Sequence, residues 1–140
     1  MACKKFVPGF TLIEMLIAIA IIAIISAIAY PSYINSVQKS RRTDATTSLS
    51  EAAALQEKWY FQHNQYSNNM NDLGGSNSRE GFYSLSVDQP CGSANCFRLV
   101  ATAVGAQSDD AKCKVFTLDN ARAKLSFSDS AGGTATNDCW

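Results

Sequence analysis

The 140-residue chain has little histidine and no excess of charge of either sign. It contains one histidine, His63, and its 12 basic residues balance 12 acidic ones. The chain has one histidine and no second closely spaced pair of cysteines, which disfavours a zinc site. Gly74-Gly75 is not followed by the lysine and serine of a phosphate-binding loop. The balanced charge gives no general attraction to nucleic acid. We therefore expect no enzyme, no metal and no cofactor.

Charge is also nearly missing from residues 10–29, where Glu14 is the only charged side chain. A helix of that length rises roughly 30 Å, which is enough to cross the hydrocarbon core of a bilayer. A carboxylate within such a segment costs up to about 3 kcal/mol unless another group pairs with it. The sequence therefore predicts a membrane-spanning segment in which Glu14 requires an amine partner.

The residues around the start of this segment resemble the leader and cleavage site of the type IV prepilins. Lys4-Lys5-Phe6-Val7-Pro8-Gly9 precedes Phe10-Thr11-Leu12-Ile13-Glu14. The resemblance implies that a prepilin peptidase and methyltransferase cuts between Gly9 and Phe10 and methylates Phe10. It also implies that Glu14 faces the amino terminus of a neighbouring subunit, which supplies the amine.

Two other interpretations explain an apolar N-terminal segment. A secretory signal peptide is disfavoured because the apolar run is too long and Glu14 interrupts it near its start. A plain membrane anchor with a stray carboxylate is the second alternative.

A helical pattern continues beyond the apolar segment, because apolar and small residues recur at three and four positions from Ile34 onwards. Pro31 removes one backbone donor and crowds the preceding turn, so we expect it to kink the helix without ending it. The pattern predicts a nearly continuous helix over about residues 10–63. We expect Trp59 and Tyr60 to anchor its second half in the core.

The C-terminal half contains four segments with the alternation or the β-favouring residues of strands. They are residues 82–87, 97–104, 112–118 and 123–127. Short turns between them, such as Asp119-Asn120, predict an antiparallel meander. The side chains expected to cover the amphipathic helix are Tyr83, Leu85, Val87, Leu125 and Phe127. Residues 64–81, rich in asparagine and glycine, are predicted to form a loop.

These elements predict an α+β fold in which a long N-terminal helix, membrane-spanning in its first half, packs on a small antiparallel sheet of about four strands. This arrangement is similar to that of type IV pilins. The predicted parts are a removed leader (1–9), a membrane or filament-core helix half (10–30), an amphipathic helix half (31–63) and a head (64–140).

Four cysteines lie in the predicted head, namely Cys91, Cys96, Cys113 and Cys139, while Cys3 lies in the leader. The positive-inside tendency places Lys4 and Lys5 in the cytoplasm and the head outside it, where disulfides persist. Four cysteines allow three connectivities. Residues 52–60 and the closing Asn137-Asp138-Cys139-Trp140 resemble PilE-type minor pilins, and this resemblance implies Cys113–Cys139, leaving Cys91–Cys96.

Two charged groups in the head suggest further sites. Lys112, Lys114, Arg122 and Lys124 are predicted to cluster on neighbouring strands, where basic side chains can meet phosphates. Acidic residues flank this group, and a solvated face is the ordinary interpretation. Asp109-Asp110 lacks an evident set of calcium ligands, and we expect both to be solvated turn residues.

The resemblance implies a structural subunit of a type IV pilus, a minor pilin that supports pilus biogenesis, twitching motility, adhesion or DNA uptake. Its implied partners are the prepilin peptidase, other pilin subunits, the inner-membrane assembly machinery and, before assembly, membrane lipid. The expected location is the bacterial inner membrane, with a cytoplasmic N-terminus and a periplasmic head, and then the extracellular pilus. A DNA-binding competence pilin and a type II secretion pseudopilin are the alternatives.

Overall fold

The computed structural model describes residues 9–129, 135–136 and 138–140. The leader residues 1–8, which carry Lys4 and Lys5, lie outside the described residues. The chain divides into two compact units, the first ending at Ser36 and the second running from Val37 to Trp140.

The helix α1 spans Leu12–His63 and includes Pro31, close to the predicted bounds. Thr11 precedes it, and the Thr11 hydroxyl oxygen accepts a hydrogen bond from the backbone N–H of Glu14 at 3.3 Å. This is the geometry of a helix N-cap, which satisfies one of the otherwise unpaired N–H groups of the first turn. The Thr-x-x-Glu spacing is therefore a start signal for α1 as well as part of the prepilin-like motif.

Within the second unit, one stripe of α1 is buried against the head. The buried residues are Asp44, Ala45, Ser48, Leu49, Ala52 and Gln56. The prediction that Trp59 and Tyr60 anchor the core is wrong, because Tyr60 is 37% exposed and Trp59 is only half-buried. Trp59 instead stacks on His63 one turn further along, with ring centroids 4.0 Å apart.

The head contains one antiparallel sheet whose strands follow chain order, as a meander requires. The strands are β1 (Tyr83–Asp88), β2 (Arg98–Ala103), β3 (Val115–Asp119), β4 (Lys124–Phe127) and β5 (Ala135–Thr136). The four predicted strands are confirmed, and β5 adds a two-residue edge that the sequence did not suggest. The third strand begins at Val115, later than predicted, because the backbone N–H groups of Lys112 and Cys113 bond to the Asp110 carboxylate in a turn.

The core lies between this sheet and α1. Tyr83 and Leu85 of β1 are buried there, as predicted, with Leu99, Phe116 and Leu118 of the neighbouring strands.

The predicted face of β4 is wrong. The register pairs Phe116 with Ser126, so Ser126 lies on the core face and is fully buried. Leu125 and Phe127 therefore lie on the opposite face, where Leu125 is 39% exposed. Side chains alternate along a strand, and a one-residue change of register moves every side chain to the other face.

The connection between α1 and β1 is held by polar side chains of the helix. Gln56, fully buried, donates to the Ser67 carbonyl at 2.7 Å and accepts the Ser67 N–H at 2.9 Å. The Asp44 carboxylate accepts the backbone N–H of Glu80 at 3.1 Å and the hydroxyl of Ser78. The predicted loop also contains a short 3-10 helix, Met70–Leu73, that buries its two apolar ends.

Candidate functional site

The N-terminal residues of the structure present an exposed backbone followed directly by the helix. Gly9 and Phe10 are exposed and lie before the first helical residue, and Phe10 is 80% exposed. Glu14 lies in the first turn of α1.

The first half of α1 carries an apolar surface in which Glu14 is the only charged side chain. None of its most apolar stretch is buried within the chain. By length and composition this helix is able to cross a membrane.

Two polar residues join α1 to the turn before β3. Arg42 donates two hydrogen bonds to the Asp110 carboxylate, at 2.7 and 2.9 Å. The side chains of Arg42 and Asp110 are 14% and 1% exposed. The expectation that Asp110 is a solvated turn residue is therefore wrong, whereas Asp109 is exposed. Chain composition does not reveal this pair, because its members are 68 residues apart.

The Asp110 carboxylate is stabilised in its charged form. Burial by itself would raise the pKa of Asp110, but the hydrogen bonds from Arg42 and from the N–H groups of Lys112 and Cys113 outweigh burial and lower it. A carboxylate that is buried, paired and already supplied with donors serves as a structural anchor.

Gln107 extends this buried network to the sheet. Its amide nitrogen lies 3.1 Å from the Asp110 carboxylate, 3.1 Å from the Tyr83 hydroxyl and 3.2 Å from the Gln38 carbonyl. Burial raises the pKa of Tyr83 to about 12, against the lowering effect of the hydrogen bond from Gln107. The network thus ties together α1, β1 and the turn before β3.

Both disulfides join the cysteines that the resemblance implied. Cys91 bonds to Cys96 within the β1–β2 connection, and Cys113 bonds to Cys139 across 26 residues. The second bond fixes the C-terminus, where the indole N–H of Trp140 donates to the Leu125 carbonyl at 2.9 Å. Sequence reasoning gave Trp140 no role, and this contact lies on β4 beyond the two residues that pair with β5.

The four basic residues of the predicted patch separate into two pairs. Lys112 and Lys114 precede β3, whereas Arg122 lies in the turn between β3 and β4 and Lys124 is the first residue of β4. Because β3 runs between these positions, the pairs are at opposite ends of the hairpin, on the order of 10 Å apart.

Arg122 and Lys124 line a pocket of about 330 Å³ between α1 and the β3–β4 turn. The apolar lining residues are Ala53, Ala54, Phe97 and Leu118. The polar lining includes Glu57 and Asp119, so the pocket has both signs of charge. Lys124 also lies 5.0 Å from the Trp140 ring centroid.

Comparison with known proteins connects the N-terminal apolar segment and the part of the chain that follows it to one family. A family model described as "Type IV minor pilin ComP, DNA uptake sequence receptor" matches residues 31–117, more than half of the chain. The prokaryotic N-terminal methylation motif matches residues 7–30.

Curated relatives point the same way. The chain is 34% identical over 95 residues to the type IV major pilin protein PilA of Myxococcus xanthus, covering 66% of this chain and 43% of that protein. It is 32% identical over 93 residues to the type IV wide pilus major component PilA4 of Thermus thermophilus, covering 66% of this chain and 71% of that protein. The chain thus spans less than half the length of the Myxococcus protein.

A solved structure shares the fold. The crystal structure of the non-core minor pilin PilV of Neisseria meningitidis matches with a TM-score of 0.53 and 20% identity, covering 73% of this chain and 91% of that chain. The long helix, the antiparallel sheet, the methylation motif and the family model over residues 31–117 agree, and the chain belongs to the type IV pilin family.

Proposed function

We propose that the chain is a structural subunit of a type IV pilus, stored in the inner membrane and then packed into the filament by the first half of α1. The observation that carries the proposal is the exposed apolar surface of that half, in which Glu14 is the only charge. Such a surface requires a cover, and lipid before assembly and neighbouring subunits after assembly both supply one.

Processing follows from the position of Gly9 and Phe10. A prepilin peptidase cuts the exposed bond between them, and methylation of the new amino terminus follows at Phe10. Glu14 then lies one helical turn from that terminus. A neighbour's protonated amine is the partner that offsets the cost of a carboxylate among apolar side chains.

The same proposal gives the orientation of the chain in the membrane. Lys4 and Lys5 hold the leader in the cytoplasm by the positive-inside tendency, and the head lies in the periplasm, where Cys91–Cys96 and Cys113–Cys139 form. The inner-membrane assembly machinery then moves the subunit into the growing filament.

The experiment that tests this function is a mass and N-terminal analysis of the chain from sheared surface filaments and from the inner-membrane fraction. A chain that begins at methylated Phe10, carries both disulfides and is abundant in the sheared filaments supports the proposal. A chain processed at Phe10 but confined to the envelope indicates a type II secretion pseudopilin. A chain that still begins at Met1 in filaments contradicts the processing step.

We infer DNA binding by the head as a second candidate function. The observation that favours it is the match to the family model described as a DNA uptake sequence receptor. Arg122 and Lys124 are exposed and adjacent at the rim of a pocket with an apolar floor. We propose these two cations as the phosphate contact because Lys112 and Lys114 lie at the other end of the hairpin. Arg122 and Lys124 both lie beyond the residues 31–117 that the family model matches.

A binding measurement with the full chain in detergent tests this second function. Changing Arg122 and Lys124 to alanine should weaken binding to duplex DNA and reduce the slope of log K against log salt by roughly one to two units. Lys112→Ala with Lys114→Ala is the matched control, since these lysines lie at the opposite end of the hairpin. Equal losses in both double variants would indicate a diffuse charge effect and not a site.

A further inference from the structure

The part of α1 that precedes its buried stripe has no apolar core to hold it. The first buried side chain of the helix is Asp44, and every side chain from Leu12 to Thr43 is exposed or half-buried. Pro31 lacks an N–H group, so one helical hydrogen bond is missing in this part. Segments with few buried apolar contacts open locally at a small cost in free energy. Polar contacts are therefore left to determine how far such opening extends towards the head.

Two side chains from one short segment of the head grip a single turn of α1. The Gln107 amide nitrogen lies 3.2 Å from the Gln38 carbonyl oxygen. The Asp110 carboxylate accepts two hydrogen bonds from Arg42, at 2.7 and 2.9 Å. In an α-helix the Gln38 carbonyl also accepts the backbone N–H of Arg42, four residues later. The head therefore holds both ends of one helical turn, the carbonyl at its start and the side chain at its end.

The segment that grips α1 is itself fixed to the sheet. It forms a short 3-10 helix, Gly105–Asp109, and the backbone N–H of the preceding Val104 donates to the Phe82 carbonyl at 2.9 Å. On its other side the Asp110 carboxylate accepts the backbone N–H of Cys113 at 3.3 Å, and Cys113 is held by a disulfide. Because both of its ends are fixed, this segment does not follow the helix when the helix opens.

The position of Gln107 does not satisfy all of its own hydrogen-bonding groups. Its amide nitrogen carries two hydrogens, and three acceptors lie within 3.2 Å of it, namely the Gln38 carbonyl, the Asp110 carboxylate and the Tyr83 hydroxyl. Its carbonyl oxygen is buried and has no hydrogen-bond partner among the residues that the structure describes. A leucine would fill a similar volume without an unpaired carbonyl. What Gln107 contributes beyond packing is thus the donation of its N–H groups.

From these contacts we propose that Gln107 and Asp110 act as a stop that ends local opening of α1 at Gln38. Helical hydrogen bonds before Gln38 open and close independently of the head, whereas those from Gln38 onwards open only when the grip is released. In a filament subunit, the stop would allow the first half of the helix to adapt to new surroundings while the head keeps its form. The inference does not depend on the proposed filament function, because the purified chain is sufficient to test it.

The first test is hydrogen–deuterium exchange of the full wild-type chain in detergent, followed residue by residue along α1. The backbone amides between Pro31 and Arg41 should exchange fast. Protection should begin at Arg42, whose N–H bonds to the gripped Gln38 carbonyl. Even protection from Pro31 to Ala45 would overturn the inference, and so would protection that begins only at Ala45.

The second test repeats this measurement with Gln107→Leu, which removes the donor to Gln38 and retains the volume of the side chain. Exchange at residues 42–44 should become faster on the order of tenfold, as expected for the loss of about one hydrogen bond. The amides of residues 49–56 and of strands β2 and β3 should keep their wild-type rates. Ser108→Ala is the matched control, because Ser108 lies in the same 3-10 helix and its hydroxyl donates to the Gly105 carbonyl at 2.6 Å, not to α1.

Digestion with trypsin under native conditions gives an independent measurement of the same opening. Arg41 and Arg42 are trypsin sites in the gripped turn, and Lys58 is an exposed site further along the same helix. Cleavage after Arg41 or Arg42 should accelerate in Gln107→Leu, whereas cleavage after Lys58 should keep its wild-type rate, because the opening is local.

Three results from the variants would overturn the inference. One is unchanged exchange at residues 42–44 in Gln107→Leu. Another is an equal acceleration along the whole head, which would show that Gln107 contributes only to global stability. The third is the same local change in Ser108→Ala. If Gln107→Leu does not fold, the residue at which protection begins in the wild-type chain decides the question by itself.

Discussion

Along α1, the side chains before Ser36 and those after Val37 differ in what surrounds them. Ile13 and Ile24 are 62% and 64% exposed, whereas Ala45 and Leu49 are fully buried against the sheet. Fully burying one isoleucine is worth about 1.5–3 kcal/mol. The apolar surface of the first unit is therefore not buried within the chain, and we propose that lipid or other subunits cover it. The second unit buries its apolar side chains within the chain.

The polar residues of the two regions differ in the same way. In the second unit, Arg42, Asp44 and Gln56 each find partners in the head of the same chain. In the first unit, the backbone N–H of Glu14 donates to the Thr11 hydroxyl, and the partner that we propose for its carboxylate is the amino terminus of a neighbouring subunit. Changes in the second unit should therefore alter the stability of the head, and changes in the first should alter assembly.

The largest loss of head stability is expected from Arg42→Ala. It leaves the Asp110 carboxylate buried without its cation, which costs about 3–5 kcal/mol when a buried pair is broken. Denaturant unfolding of the full chain in detergent measures the change. Arg98→Ala is the control, since the Arg98–Asp88 pair is about half exposed and should contribute less than about 1 kcal/mol. Equal losses would mean that burial does not distinguish the two pairs.

The next largest effect is expected from removing the longer disulfide with Cys113→Ser and Cys139→Ser. Closure of a loop with a separation of 26 residues corresponds to about 3.5 kcal/mol. Removing Cys91–Cys96, which closes a separation of 5 residues, corresponds to about 2 kcal/mol. Limited proteolysis should cut the C-terminal region in the first variant only. Identical proteolysis of both variants would contradict the role assigned to Cys113–Cys139.

A smaller effect is expected from Tyr83→Phe, which removes a hydroxyl that accepts from Gln107 and should cost about 1 kcal/mol near neutral pH. Because burial raises the pKa of Tyr83 to about 12, the folded state keeps its proton while the unfolded state loses it near pH 10. The wild-type head should therefore lose stability as the pH rises from about 10 to 12, and the variant should lose less. If the free energy of unfolding fell equally with pH in the two proteins, this linkage to Tyr83 would be refuted.

The smallest effect on the head is expected from Glu14→Ala, which lies in the first unit and should change the free energy of unfolding by less than about 0.5 kcal/mol. The variant should nevertheless reach filaments poorly and accumulate in the membrane, because the neighbour's amine loses its carboxylate partner. Quantitative comparison of sheared and membrane fractions measures this. Glu51→Ala, at an exposed position of α1 in the second unit, is the control. Normal incorporation of the Glu14 variant into filaments would contradict the proposed pairing of Glu14 with the neighbour's amine.

Much of the fold was predictable because its signals are local. The apolar run, the helical spacing after Ile34 and the alternation of the strands placed α1 and β1–β4 close to their observed positions. The cysteine pairing came from the resemblance to pilins and not from spacing, since four cysteines allow three connectivities.

The incorrect predictions concern residues whose environment is set by distant parts of the chain. Asp110 looked like a solvated turn residue until Arg42 of the helix was placed beside it. Leu125 looked like a core residue because it is apolar, but the pairing of Phe116 with Ser126 decides which face of β4 is inward. The basic residues were predicted to form one patch because their spacing in the sequence does not show at which end of the hairpin each of them lies.

The sequence by itself determined the long helix, the membrane-length apolar segment, the N-terminal methylation motif and the order of the strands. Each depends on interactions within a few residues or on the local balance of apolar and polar side chains. Only the tertiary structure decided the Arg42–Asp110 anchor, the inward face of β4, the contact of Trp140 with the edge of that strand and the pocket between α1 and the β3–β4 turn. These features require groups far apart in the chain to meet, and their energies depend on burial, which is a property of the folded whole.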